Sequence, residues 1–226
     1  MTMRKALITL VSATICLIAG IAVGRVWQAR LRPSQSVTHR IYFDNRGYAL
    51  REVAMKAPHG QVLLIGDSIT EFAWLPPLCG RPTFNGGISA ARVQEMIGPA
   101  VTLVRLLRPA HVFVALGTND ARNGRTTPIG DFEAAYKKLV DAIGPVSLTL
   151  VGVMPFDVAH DGHGGSLDAA AVRAENRVIQ GIATQHGARF VPLAGGVETE
   201  DGIHPTPAGS RNWLAALSQG GCPPSA

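Results

Sequence analysis

Residues 61–70 read QVLLIGDSIT, and the first six of them decide the fold. Gln61–Gly66 is a short apolar run without polar alternation, closed by glycine. That is the pattern of a strand buried on both faces. The form recurs at 111–117 (HVFVALG) and 146–154 (VSLTLVGVM), with shorter candidates at 189–193 and 82–85. Helical patterns fill the intervals. Residues 91–97 and 100–108 read as two helices split by Gly98 and Pro99. Residues 129–143 space Phe132, Tyr136, Leu139, Val140 and Ile143 three and four apart. Residues 169–186 set Val172, Val178, Ile179 and Ile182 on one face and stop at Gly187. Thr206 as N-cap and Pro207 as first helical residue open a last helix. Strands alternating with such helices predict a parallel sheet covered on both faces, with its chemistry beyond the carboxyl ends of the strands.

The rest of the chain divides into three parts: 1–27, 28–60 and 61–226. Arg4 and Lys5 precede an uncharged, mostly apolar run from Ala6 to Gly24, and Arg25, Arg30 and Arg32 follow it. As a helix it would cover about 28 Å, close to the hydrocarbon thickness of a bilayer. We read it as an uncleaved signal anchor, the alternative being a signal peptide cleaved after Ala22-Val23-Gly24. Residues 28–60 read as a tether and approach segment with a short helix near 48–55.

Charge follows the same division. The chain of 226 residues has a net charge of +5, but residues 1–60 hold nine basic and two acidic side chains, while residues 61–226 hold twelve and fourteen. The folded part is slightly acidic, which argues against a nucleic-acid-binding surface. Three cysteines are too few for a disulfide-built miniprotein and too scattered for a zinc framework.

Three short blocks fall at the predicted active edge. Gly66-Asp67-Ser68-Ile69-Thr70 ends the first strand and opens a helix, where the Ser68 hydroxyl is exposed and its own N–H favours negative charge. Gly117-Thr118-Asn119-Asp120 ends another strand, with the Asn119 amide as a donor. Asp201-Gly202-Ile203-His204 precedes the last helix; a carboxylate three residues before a histidine can hold its Nδ1–H and leave Nε2 to take a proton. Each block alone is also an ordinary cap or turn.

With Asn85-Gly86-Gly87-Ile88-Ser89-Ala90 as a further block, and Pro205 closing the last, the chain resembles the SGNH or GDSL-type serine hydrolases over about 160 residues, from Val62 to roughly Leu217. The resemblance implies a three-layer α/β/α sandwich with a flavodoxin-like parallel five-stranded sheet, here preceded by the N-terminal membrane helix. It implies ester hydrolysis with Ser68 as nucleophile, His204 as base and then acid, and Asp201 orienting His204. The oxyanion hole would comprise the Ser68 N–H, the Asn119 amide and a backbone N–H at Ala90. The family usually has glycine at that last position; a donor N–H tolerates alanine unless the site needs a positive φ. The expected substrate is a small acyl ester, with an acetylated carbohydrate of the cell envelope suggested by family and compartment. No metal, organic cofactor or nucleic acid is expected.

An O-acyltransferase with the same triad is a close rival, and an inactive binding module of the same fold a more distant one. A flavin-binding protein would want a phosphate cradle where Asp67 and Glu71 stand. Asp157-Val158-Ala159-His160 repeats the Asp-x-x-His spacing, and with Asp161 and His163 it could be read as a metal cluster; a polar lid loop is the preferred reading. His59, His111 and His186 read as surface or element-end residues, and Trp74 as helix packing. In a flavodoxin-like arrangement the first and last helices share a face, so Cys79 and Cys222 could come within bridging reach; a disulfide would fit export, and two unrelated thiols are the alternative.

Overall fold

The computed structural model describes residues 20–21, 35–155, 157, 167–193, 195 and 197–224. The predicted membrane helix lies almost entirely outside them. Among the described residues, no helix is long and apolar enough to cross a membrane. The chain divides into two compact units at Tyr42, and residues from Phe43 onward carry the α/β fold. The expected short helix near 48–55 is longer: α1 spans Gln35–Ala54, and its Leu50 and Ala54 are buried in the core.

Five parallel strands form one sheet: β1 Val62–Gly66, β2 Thr83–Gly87, β3 His111–Ala115, β4 Leu148–Val151 and β5 Arg189–Val191. Their order is β2-β1-β3-β4-β5. All five residues of β1 are buried, as the unbroken apolar run predicts. The predicted strand over 146–154 is shorter because β5 runs out. Beyond Val151 the Asn176 side chain replaces the missing strand, accepting from Val153 N at 2.7 Å and donating to Val153 O at 3.0 Å.

The helices are α2 Ser68–Phe72, α3 Val93–Leu107, α4 Ile129–Ile143, α5 Ala169–Gln185 and α6 Pro207–Gly221. Helices α3, α4 and α5 pack side by side in one layer, and α6 packs on β4 and β5. The predicted break at Gly98-Pro99 does not occur. Proline inside a helix costs about 3 kcal/mol, but Val93, Met96, Ala100, Leu103 and Leu107 bury one uninterrupted stripe across it, while Gly98 faces solvent. Continuous burial outweighs the local break. Thr206 caps α6 as predicted, accepting from Gly209 N at 3.0 Å.

Cys79 and Cys222 are bridged, with their Cα atoms 5.2 Å apart. The bond ties the segment after α2 to the end of α6.

Candidate active site

The sheet register puts the blocks on one row. Gly66 pairs with Gly87 in β2 and with Ala115 in β3. Ser68, Ala90 and Asn119 therefore leave the sheet two, three and four residues past the same level. Chain order reverses between β1 and β3, and their carboxyl ends flank the crevice where ligands bind in such sheets.

Ser68 follows Asp67, which caps the five-residue α2 by accepting from Ile69 N at 3.0 Å. Burial pushes the Asp67 carboxyl up to about 6, against the lowering pull of the Ile69 amide, the Thr118 hydroxyl and the charge of His204. The other end of α2 is held by the Asn85–Ala90 block: Asn85 Nδ2 donates to Thr70 O at 2.7 Å. Gly87 lets the two pack, since a Cβ there would run into the backbone of Glu71.

His204 arrives from the loop before α6. Its Nε2 lies 2.9 Å from Ser68 Oγ, across a sequence separation of 136 residues. Its Nδ1 lies 2.7 Å from Asp201 Oδ2. Asp201 Oδ1 meanwhile accepts from the backbone N–H of His204 at 2.7 Å and of Ile203 at 3.0 Å. Burial works against the Asp201 charge, but these bonds and the nearby imidazole outweigh it and hold the carboxyl well below the usual range. Asp201 is thus anionic at neutral pH, a carboxylate suited to accept from an Nδ1–H, and the same ring turns its Nε2 to the Ser68 hydroxyl.

Asn119 Nδ2 donates to Ala91 O at 3.1 Å, which orients the amide; a carboxamide has a second N–H. Asp120 sets the loop, accepting from Val93 N at 3.1 Å and from the Thr127 hydroxyl at 2.8 Å. Gly117 has φ +135°, and a Cβ there would strike Val153 and Glu175. Ala90 has φ +60°. The condition set by the sequence is met in the unfavourable sense: the position is left-handed, and alanine occupies it under strain.

Several residues at this edge were not legible in the sequence. Glu71 Oε2 accepts from Ser89 N at 2.6 Å, and Arg46 Nε lies 3.2 Å from Glu71 Oε1 and 3.1 Å from Gly87 O. Together they clamp the loop that carries Ala90. Glu175 is buried behind Gly117, and neither carboxyl oxygen has a hydrogen-bond partner among the described residues. Burial, then the charge of Asp120, push it up to about 9, so it is protonated at neutral pH. The signal was an acid on the buried stripe between Val172 and Ile179.

Other expectations change. Trp74 packs in no helix: α2 ends at Phe72, and Trp74 is 85% exposed. His59 and His186 are exposed and His111 stands at the start of β3, as expected for surface or element-end residues, although the His111 side chain is buried. Its Nδ1 is 2.8 Å from Ser147 Oγ and its Nε2 is 3.0 Å from Thr149 Oγ1. Burial lowers it to about 4. Asp157 accepts from the Thr199 hydroxyl at 3.2 Å and donates through its N–H to Gly202 O at 3.1 Å, bracing the loop that carries Asp201. His160, Asp161 and His163 lie outside the described residues, and no group of three or more metal-type ligands gathers among the described ones.

Residues 64–211 match the model of the GDSL-like lipase/acylhydrolase family. No curated protein matches the chain. Solved structures share the fold. A lipase/acylhydrolase from Enterococcus faecalis is 17% identical with a TM-score of 0.61, over 71% of this chain and 94% of that one. A GDSL-like lipase from Bacteroides thetaiotaomicron is 22% identical at TM-score 0.56, over 71% and 86%. An acetylxylan esterase from Geobacillus stearothermophilus is 19% identical at 0.54, over 70% and 92%.

Proposed function

The chain belongs to the GDSL-like lipase/acylhydrolase family, and on that footing we propose that it is a serine esterase acting on small acyl esters. The observation that carries this reading is the relay from Ser68 Oγ to His204 Nε2 at 2.9 Å and from His204 Nδ1 to Asp201 Oδ2 at 2.7 Å. In the proposed cycle His204 takes the Ser68 proton as Oγ bonds to the ester carbonyl carbon. The oxyanion is received by the N–H groups of Ser68 and Ala90 and the Asn119 amide. Collapse breaks the bond to the alcohol oxygen, which leaves with the proton from His204. Water then repeats the sequence on the acyl-Ser68 ester and releases the acid.

An O-acetylated carbohydrate is our candidate substrate, a reading supported by the acetylxylan esterase among the similar structures. The proposed location is outside the cytoplasmic membrane, tethered by the apolar segment 6–24, or secreted if that segment is cleaved. The Cys79–Cys222 bridge supports an oxidising compartment.

The test is hydrolysis of p-nitrophenyl acetate, butyrate and octanoate by the full chain and by Ser68→Ala. Turnover that falls by three or more orders of magnitude in the variant supports the reading. Equal rates in both proteins refute it.

A further inference from the structure

A groove of about 840 Å³ opens beside the triad. Its walls include Phe72, Trp74, Pro77, His204, Pro207 and Leu214, and they are mostly apolar. Phe72 is 68% exposed, and its ring centroid lies 5.9 Å from that of His204. Two large aromatic side chains standing in solvent beside a catalytic-type histidine are a costly surface unless something covers them.

Which half of an ester would lie there follows from the chemistry of the relay. The groove includes His204 among its walls but neither Ala90 nor Asn119. The leaving alcohol oxygen must approach His204 Nε2 to receive its proton, while the carbonyl oxygen turns toward the donors at Ala90 and Asn119. The substituent on the His204 side of the scissile bond is the alcohol. We propose that this groove is the leaving-group site, and that it takes the alcohol half of the ester through a hydrocarbon face laid against Trp74 and Phe72. The inference rests on the esterase reading above. No bond other than those of the proposed cycle is made or broken; the alcohol departs from the groove with the proton from His204.

The discriminating probes are isomeric ester pairs, hexyl acetate against ethyl hexanoate and octyl acetate against ethyl octanoate, with ethyl acetate as the common short member. Each pair has the same atoms, and all leaving groups are primary alkyl alcohols of similar basicity. In the wild-type full chain kcat/KM is expected to rise about two- to fourfold per methylene in the alcohol series, the range for partial to full burial of a CH2. The acyl series is expected to rise less steeply. Trp74→Ala flattens the alcohol slope by at least half, with the acyl slope as internal reference. Ala215→Trp, a substitution at an exposed groove position, cuts off the alcohol series beyond the short members. If Trp74→Ala flattens the acyl slope instead, the groove houses the acyl half and the proposal is overturned. It is overturned as well if neither slope moves. Ser68-dependent turnover with those slopes leaves the esterase reading intact, whereas no Ser68-dependent turnover on any of the esters removes both.

Discussion

Ala90→Gly tests the strain beside the candidate oxyanion site. Ala90 sits at φ +60°, where its Cβ crowds the following carbonyl oxygen. That conformation costs a non-glycine residue roughly 1–2 kcal/mol. Ala90 is exposed, so deleting its methyl forfeits no core packing. Glycine gains entropy in the unfolded chain, which offsets about 0.5–1 kcal/mol of the relief. The net expectation is a variant more stable by about 0.5–1 kcal/mol. For a chain of this size that is a rise in Tm of roughly 1–4 °C. The backbone N–H is retained, so kcat on a short acetate ester is expected to stay within about threefold of wild type, against the hundredfold or greater loss that follows removal of such a donor. Thermal unfolding by circular dichroism and initial rates on p-nitrophenyl acetate read the two effects. Ala90→Val should fall the other way, by several degrees, because a β-branched residue tolerates a positive φ least. A glycine variant that melts 2 °C or more below wild type would refute the strain argument.

Asn119→Ala is expected to lower kcat by about 10²–10³ with little change in KM, since the amide would act on charge present only in the transition state; a change confined to KM would contradict that role. Glu71→Ala removes the charged acceptor of Ser89 N and the partner of Arg46. It should cost about 2 kcal/mol in urea unfolding and lower kcat, and full retention of both would show that the clamp is idle. Replacing both Cys79 and Cys222 by serine opens a bridge spanning 143 residues, worth about 5 kcal/mol in the chain-entropy account; a loss under 1 kcal/mol would count against that account here. His111 titrates near 4 in the fold against 6.5 when unfolded, so its contribution is fully present above pH 6.5 and is lost as pH falls toward 4. That loss amounts to about 3 kcal/mol, and an identical pH slope in His111→Gln would sink the assignment.

Much of the site was readable because its carriers are local. An apolar run that ends in glycine reports a buried strand from its own residues, so the positions of Ser68 and Asn119 at strand ends followed directly. The short span from Asp201 to His204 let the carboxylate and imidazole be paired on paper. The misses share another character. Pro99 reads as a break when only its own helix is considered; the stripe it shares with the sheet overrules it. Trp74 reads as packing until the helix is seen to stop at Phe72. Arg46 and Glu71 carry no motif, and their part appears only where α1 meets the loop after β2.

From the sequence alone came the candidate chemistry: a candidate nucleophile, a candidate base with its carboxylate and two candidate donor blocks, in an order that a parallel sheet can gather at one edge. Spacing and periodicity are properties of neighbouring residues, and they survive without the fold. The approach of His204 to Ser68 across 136 residues, the left-handed backbone at Ala90 and the aromatic groove beside His204 belong to the tertiary structure. They are set by strand register, by how close α2 can come to β2 and by which helix covers which face, and packing alone decides those distances.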